Sequence, residues 1–221
     1  MMRSGSLSQI SSPPGVYAQS DKIRTRIIFL IFISSGFVLR EPAPYDLFTL
    51  GLMALSLLTG LRIPRGLGVP AVLLITFFVF DLVGVLSAFE PGKARMHAFV
   101  TIYLGFSSLF FACLIARDSL DILRKIFLAY AIGAVITAIF GIIGYFGHIE
   151  LFTLYGRAKG LFKDPNVFGP FLIPPLLYAI KKLINSPLKR VWPWMGVLGI
   201  LIIGILLSFS RAAWGHFIVS S

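Results

Sequence analysis

The chain has 221 residues, 57% of them hydrophobic and 13% charged, with a mean hydropathy of +0.90, which is more apolar surface than one soluble core of this size can bury. Its formal charge of +11 is spread in short basic clusters between long apolar runs, the pattern of juxtamembrane loops, which excludes a nucleic-acid-binding domain. The single cysteine, Cys113, excludes an intrachain disulfide and a cysteine metal cluster, and His97, His148 and His216 are too scattered for metal-ligand spacing.

In chain order, residues 1–23 are polar, carry Pro13-Pro14-Gly15 and turn basic at Lys22, which predicts a disordered cytoplasmic tail. Phe37-Val38-Leu39-Arg40 follows the first apolar run where a small-x-small site would be needed, so no signal-peptide cleavage is expected. Apolar runs at 24–39, 45–61, 67–87, 98–116, 122–147, 166–184 and 192–210 predict about seven spans, each of roughly 20 residues. Residues 211–221 read as the opening of an eighth span cut short. The expected fold class is therefore an all-α polytopic membrane protein, with a transmembrane helical domain over 24–221 that is incomplete at its C-terminus.

The first run is the weakest, because its uninterrupted apolar stretch covers only Ile27 to Leu39. Charge decides whether it spans. With a cytoplasmic N-terminus, the inner segments hold thirteen cations: Arg3, Lys22, Arg24, Arg26, Arg62, Arg65, Arg117, Arg124, Lys125, Lys181, Lys182, Lys189 and Arg190. The outer segments hold seven: Arg40, Lys93, Arg95, Arg157, Lys159, Lys163 and Arg211. Without the first span the balance becomes nine inside and eleven outside, against the positive-inside rule.

The chemistry concentrates on the outer side. Segment 148–166 is the longest link between expected spans, and Arg157, Lys159 and Lys163 stand there where cations are disfavoured, spaced by Gly156 and Gly160. Such glycines let backbone amides approach an anion, so the cluster suits a phosphate or pyrophosphate, against the plainer reading of a solvated loop. Asp164-Pro165-Asn166 is first a helix start and second a site. Pro170, Pro174 and Pro175 then free the carbonyls of Asn166, Pro170 and Phe171, so this half-helix is expected to face protein or a wet cavity, or to be simply kinked.

Arg211, after Ser208-Phe209-Ser210, reaches the same surface, either as a snorkelling anchor or as a bidentate phosphate ligand, and Lys93 and Arg95 add two further cations. Asp81 lies about 9 Å inside the third span and is expected either to pair with a cation such as Arg211 or to sit protonated in a small wet pocket. His148 is a conceivable acid or base, with a solvated loop residue as the plainer reading.

Two motifs together resemble the O-antigen ligase and Wzy-type O-antigen polymerase superfamily of bacterial membrane glycosyltransferases. They are the run from Arg157 through Gly160, Phe162, Asp164, Pro165 and Asn166 to Gly169, and the span end Leu206-Leu207-Ser208-Phe209-Ser210-Arg211-Ala212-Ala213-Trp214. Weaker support comes from Glu90-Pro91-Gly92 before a span. The resemblance implies a periplasm-facing cleft of the inner membrane that holds an undecaprenyl-diphosphate-linked glycan donor. Arg157 and Arg211 would neutralise the diphosphate with Lys159 and Lys163, supported by Asp164, Asn166, Ser210 and Asp81. The acceptor would be a glycan or the lipid A core; neither metal nor nucleotide cofactor is implied. The family's long acceptor-activating loop follows the spans seen here, so catalytic residues are expected beyond Ser221 and the chain alone is expected to lack transferase activity. The competing classes are a secondary transporter of a small anion such as bicarbonate, for which Asp81 and a proline-broken helix would form the pathway, and an inactive truncated fragment.

Overall fold

The structure, a computed structural model, describes residues 14–40, 42–58, 64–117, 120–187 and 191–220. Its helices are α1 (Pro14–Ser34), α2 (Pro44–Leu58), α3 (Gly68–Leu86), α4 (Pro91–Arg117), α5 (Leu120–Phe146), α6 (Pro165–Phe171), α7 (Ile173–Asn185), α8 (Val191–Leu207) and α9 (Arg211–Ser220), with 3₁₀ turns at Arg65–Leu67 and Glu150–Phe152. Among the described residues one feature departs from the expected all-α class. Thr153–Leu154 (β1) and Arg157–Ala158 (β2) pair antiparallel, Thr153 opposite Ala158 and Leu154 opposite Arg157.

Among the described residues four helices are long and apolar enough to cross a membrane: Arg65–Leu86, Pro91–Ala116, Asp121–Phe146 and Pro165–Asn185, the last counted across the break between α6 and α7. This is the build of an all-α membrane protein. The other three expected spans are shorter apolar helices, Thr25–Ser34, Pro44–Leu58 and Val191–Leu207. Several boundaries differ from expectation: α1 ends at Ser34 and not 39, and α8 at Leu207 and not 210. Helix α1 reaches back to Pro14, into the stretch read as a tail: proline is tolerated in a first turn, and Ala18, Gln19 and Lys22 are good helix formers. Residues 1–13 lie outside the described residues. Helix α4 starts at Pro91, so Lys93 and Arg95 occupy its first turns and not a loop.

Helix α5 is the axis of the bundle and packs against α1, α7 and α8. Ala129, Gly133, Thr137 and Gly141 recur every fourth residue along it and are all buried. Small residues at this spacing let backbones approach closely, which is how helices associate where lipid removes the hydrophobic drive. The approach to α1 is that close: a Cβ on Gly133 would lie 2.5 Å from the Ile33 carbonyl oxygen, and one on Gly36 would lie 2.8 Å from that of Gly133. Helix α3, by contrast, packs on α4 and buries Phe78, while Val72, Leu73, Phe80 and Val83 remain exposed to the surroundings.

A buried apolar core lies where α6 and α7 meet α5, α8 and α9. Phe168, Leu172, Ile173 and Leu176 are fully buried there against Ala134, Ala138, Leu201, Ile205 and Ala213. The expected sixth span is broken at Leu172, which ends α6 and caps α7, with prolines in the first turn of α7. The break is inside protein, as the freed carbonyls require. The Phe171 carbonyl, which Pro175 deprives of its helical donor, accepts a 2.7 Å hydrogen bond from the Tyr130 hydroxyl on α5.

Candidate functional site

After α5 ends at Phe146, the chain does not loop freely through solvent. His148 adopts a positive φ of 53°, the 3₁₀ turn follows, and a two-residue turn at Tyr155-Gly156 (φ 51° and 70°) joins β1 to β2. Positive φ at both central residues is the primed turn that matches strand twist. Beyond β2 the chain dives back along α5: Ala158, Gly160, Leu161 and Phe162 are all buried. At Gly160 (φ 56°) a Cβ would lie 2.5 Å from the Thr137 carbonyl oxygen and 2.6 Å from its hydroxyl. Thr137 is nine residues before the end of α5, about 13 Å along the helix at 1.5 Å per residue. Non-helical backbone at that depth is tolerated when protein satisfies its polar groups. Here it does: the Lys159 and Gly160 amides donate to the Phe152 carbonyl, the Leu161 amide donates to Thr137 Oγ1 at 2.9 Å, and the Leu161 carbonyl accepts from the Val38 amide at 2.8 Å.

Asp164 then caps α6, its Oδ1 accepting from the Asn166 amide at 2.7 Å. This leaves the Asn166 side chain exposed and turned to Arg157, whose Nη2 donates to Asn166 Oδ1 at 2.8 Å. Arg157 Nε donates to the Ser208 carbonyl at 2.8 Å. One guanidinium thus ties the hairpin, the start of α6 and the end of α8. Its flat fork suits two acceptors held at a fixed angle.

The end of α8 is a compact knuckle. The Ser208 hydroxyl donates to the Ile205 carbonyl at 2.6 Å, Phe209 takes φ 45°, and Ser210 caps α9 by accepting from the Ala213 amide at 3.3 Å. Gly169 of α6 lies under this knuckle: a Cβ there would come within 2.7 Å of Ser208 Oγ and 2.8 Å of the Ala213 Cβ. The two motifs singled out in the sequence, Arg157–Gly169 and Leu206–Trp214, stand on either side of α7 and most of α8 in the chain and form one unit at one end of the bundle.

The expected cations differ in what they do. Arg157 is half-buried and has two of its N–H groups committed to protein. Arg211, the first residue of α9, is exposed and makes no hydrogen bond or ion pair among the described residues. It stands three positions after Ser208, so their Cα atoms are within about 11 Å. Lys159 is half-buried and Lys163 exposed. Neither arginine is paired with a carboxylate among the described residues, whereas Lys93 pairs with Glu90 at 2.6 Å and Arg124 with Asp121 at 3.5 Å.

Several expectations are corrected. Segment 148–166 is a hairpin and a re-entrant turn, not a solvated loop. Lys93 pairs with Glu90, and Arg95 Nε donates to the Pro91 carbonyl, so both are satisfied within their own turn and do not join Arg157. Asp81 is not paired with Arg211; its Oδ2 is buried without a hydrogen-bond partner. His148 lines a cavity of about 240 Å³ with Tyr145, Phe146, Thr153 and Gly156. Among the described residues no group of His, Cys, Asp and Glu could hold a metal ion.

Three participants were not read from the sequence. Ser208 contributes its backbone carbonyl, which no side-chain pattern announces. Thr137 receives the re-entrant turn, and its place in the every-fourth-residue row of small residues could have revealed it. Asp46 accepts from the Tyr103 hydroxyl and the Ala43 amide, each at 2.9 Å, and ties the start of α2 to α4. No family model, curated protein or solved structure matches this chain, so a functional reading rests on the residues and their geometry.

Proposed function

We propose that this chain is the donor-binding part of a membrane glycosyltransferase similar to O-antigen ligases and Wzy-type polymerases. In this reading it is a bacterial inner-membrane protein with a cytoplasmic N-terminus and seven spans, and its hairpin end faces the periplasm. The cluster at that end holds the diphosphate of an undecaprenyl-diphosphate-linked glycan. The observation that carries the reading is the Arg157 fork: it binds Ser208 and Asn166 from the two motifs, yet its charge is left without a carboxylate, close to the unpaired Arg211.

When a glycan or lipid A-core hydroxyl attacks the anomeric carbon of the donor sugar, the bond to the diphosphate oxygen breaks and negative charge builds on the leaving group. Cations fixed beside that oxygen stabilise the charge as it develops. Arg211 offers its whole guanidinium, and Arg157 its N–H groups not committed to Ser208 and Asn166. Lys159 and Lys163 add positive potential.

The test is a titration of the detergent-purified chain with an undecaprenyl-diphosphate analogue. Loss of a charge-assisted hydrogen bond costs about 1.5–3 kcal/mol, so Arg211→Ala is expected to weaken binding by roughly 10- to 150-fold. Absence of saturable binding, or affinity unchanged by both Arg157→Ala and Arg211→Ala, refutes the proposal. A small-anion transporter is the second reading, favoured by the buried, unpartnered Asp81 Oδ2 and the helix break at Leu172. It requires anion uptake into proteoliposomes that Asp81→Asn abolishes, whereas diphosphate binding should be indifferent to that substitution.

A further inference from the structure

The opposite end of the bundle carries a second cleft, about 440 Å³ in volume, between the start of α5 and the body of α7. It is lined by Leu123, Arg124, Phe127, Pro174, Leu177, Tyr178 and Lys181. Arg124 is 22 residues before the end of α5, about 33 Å from the hairpin at 1.5 Å per residue, so the two clusters stand one hydrocarbon thickness apart. The walls and the rim differ in kind. Leu123, Phe127, Pro174 and Leu177 are apolar and half-buried, whereas Arg124 and Lys181 are exposed.

The charged side chains that line the cleft are both cations, Arg124 and Lys181, and Lys125 and Lys182 are their chain neighbours. Asp121 lies 3.5 Å from Arg124, but both side chains are 71% exposed, so water screens the pair and leaves the arginine available to a better ligand. Lys182 is already placed over the Tyr178 ring, 5.4 Å from its centroid. The aromatics are layered: Tyr178 stacks on Phe127 at 5.5 Å, and Trp194 of α8 meets Tyr178 edge-on at 5.7 Å. Aromatic rings beside lysine and arginine at helix ends are the composition of a membrane interface.

We infer that this cleft binds an anionic phospholipid, its phosphate on Arg124 and Lys181 and the upper part of one acyl chain along Leu123, Phe127, Leu177 and Pro174. A soluble phosphate would gain nothing from four apolar walls, and a zwitterionic lipid would bring a second cation to a rim that is already positive. Pro174 and Lys181 are seven residues apart on α7, so the apolar channel descends about 10 Å below the cations, in line with a chain entering the hydrocarbon. The inference stands independently of the diphosphate site.

The test uses the whole chain in detergent and counts bound lipid by native mass spectrometry, with phosphatidylglycerol, phosphatidylcholine of the same acyl chains, and glycerol phosphate without chains as probes. Phosphatidylglycerol is expected to be retained over phosphatidylcholine, and glycerol phosphate not to bind. Arg124→Gln and Lys181→Gln should each weaken retention about fivefold, and together about 25-fold, the usual contribution of a basic residue near an anionic membrane surface. Leu177→Trp, which fills the channel and leaves both cations in place, should also abolish preferential retention, while Lys93→Gln and Arg95→Gln in the first turns of α4 should change nothing. Binding of glycerol phosphate as strong as that of the lipid, retention indifferent to the Arg124 and Lys181 substitutions, or a lipid-independent dimer that these substitutions dissociate would each overturn the inference.

Discussion

Gly156 and Gly160 both hold positive φ, 70° and 56°, and that likeness makes them a controlled pair. A Cβ at Gly156 meets nothing within 4 Å, whereas at Gly160 it would stand 2.5 Å from the Thr137 carbonyl oxygen, 2.6 Å from Thr137 Oγ1 and 2.9 Å from the Phe168 ring. Gly156→Ala should therefore cost about 1 kcal/mol, the left-handed penalty of a Cβ alone. Gly160→Ala carries the same penalty plus about 1–3 kcal/mol of overpacking against backbone that cannot yield. It also costs about 1 kcal/mol if the 2.9 Å bond from the Leu161 amide to Thr137 is displaced. The expected loss is about 3–5 kcal/mol, read as denaturant unfolding in detergent. A second readout isolates the turn: a cysteine at Ala158, fully buried in the protein, should resist a maleimide in a Cys113→Ala background and react once Gly160→Ala is added. Equal destabilisation by the two alanine substitutions would refute the placement of this segment against α5.

Tyr130→Phe removes the donor to the Phe171 carbonyl and should destabilise the protein by about 1–3 kcal/mol, with faster amide exchange confined to the α6–α7 break. Arg157→Lys keeps the charge but not the fork, so it cannot hold both Ser208 and Asn166; diphosphate affinity should fall nearly as far as with Arg157→Ala, whereas Arg211→Lys should retain most of it. With the hairpin in the periplasm, Tyr155→Cys, at a position 92% exposed, should react with a membrane-impermeant maleimide in spheroplasts, and protection there until the membrane is opened would invert the topology.

Helix positions were legible wherever an apolar run was long. The expected 122–147 and 67–87 correspond to α5 and α3 within two residues at each end, because a helix that is apolar on most of its faces makes the run itself the signal. What the pattern could not supply was the behaviour of segment 148–166. Its cations and glycines marked it as unusual, but a turn of two residues and a re-entrant stretch satisfied by Thr137 and Val38 depend on contacts far apart in the chain. The prolines were read more fully, since each removes a specific donor: the Phe171 carbonyl was expected to need a partner in protein, and Tyr130 is that partner. Asp81 shows the reverse. Its place near the end of α3 was legible, but whether a partner reaches it depended on packing, and its buried Oδ2 has no hydrogen-bond partner.

In the proposed diphosphate site the two arginines would divide the labour according to the freedom each has already lost on folding. A long cationic side chain that binds an anion from free solution loses up to about 2 kcal/mol of rotamer freedom in doing so. Arg157 has already lost that freedom on folding, because Ser208 and Asn166 fix its fork, and those two acceptors are themselves fixed by the knuckle after α8 and the cap of α6. Its remaining N–H groups are aimed before any ligand arrives, which is the condition under which a cation assists charge development without reorganising. Arg211 retains its freedom, so in that site it would contribute less to initial affinity per hydrogen bond but could follow an anion whose charge moves. A fixed cation beside a mobile one, with the fixed one bonded to both motifs, gives a physical reason for the two motifs to occur together in one chain.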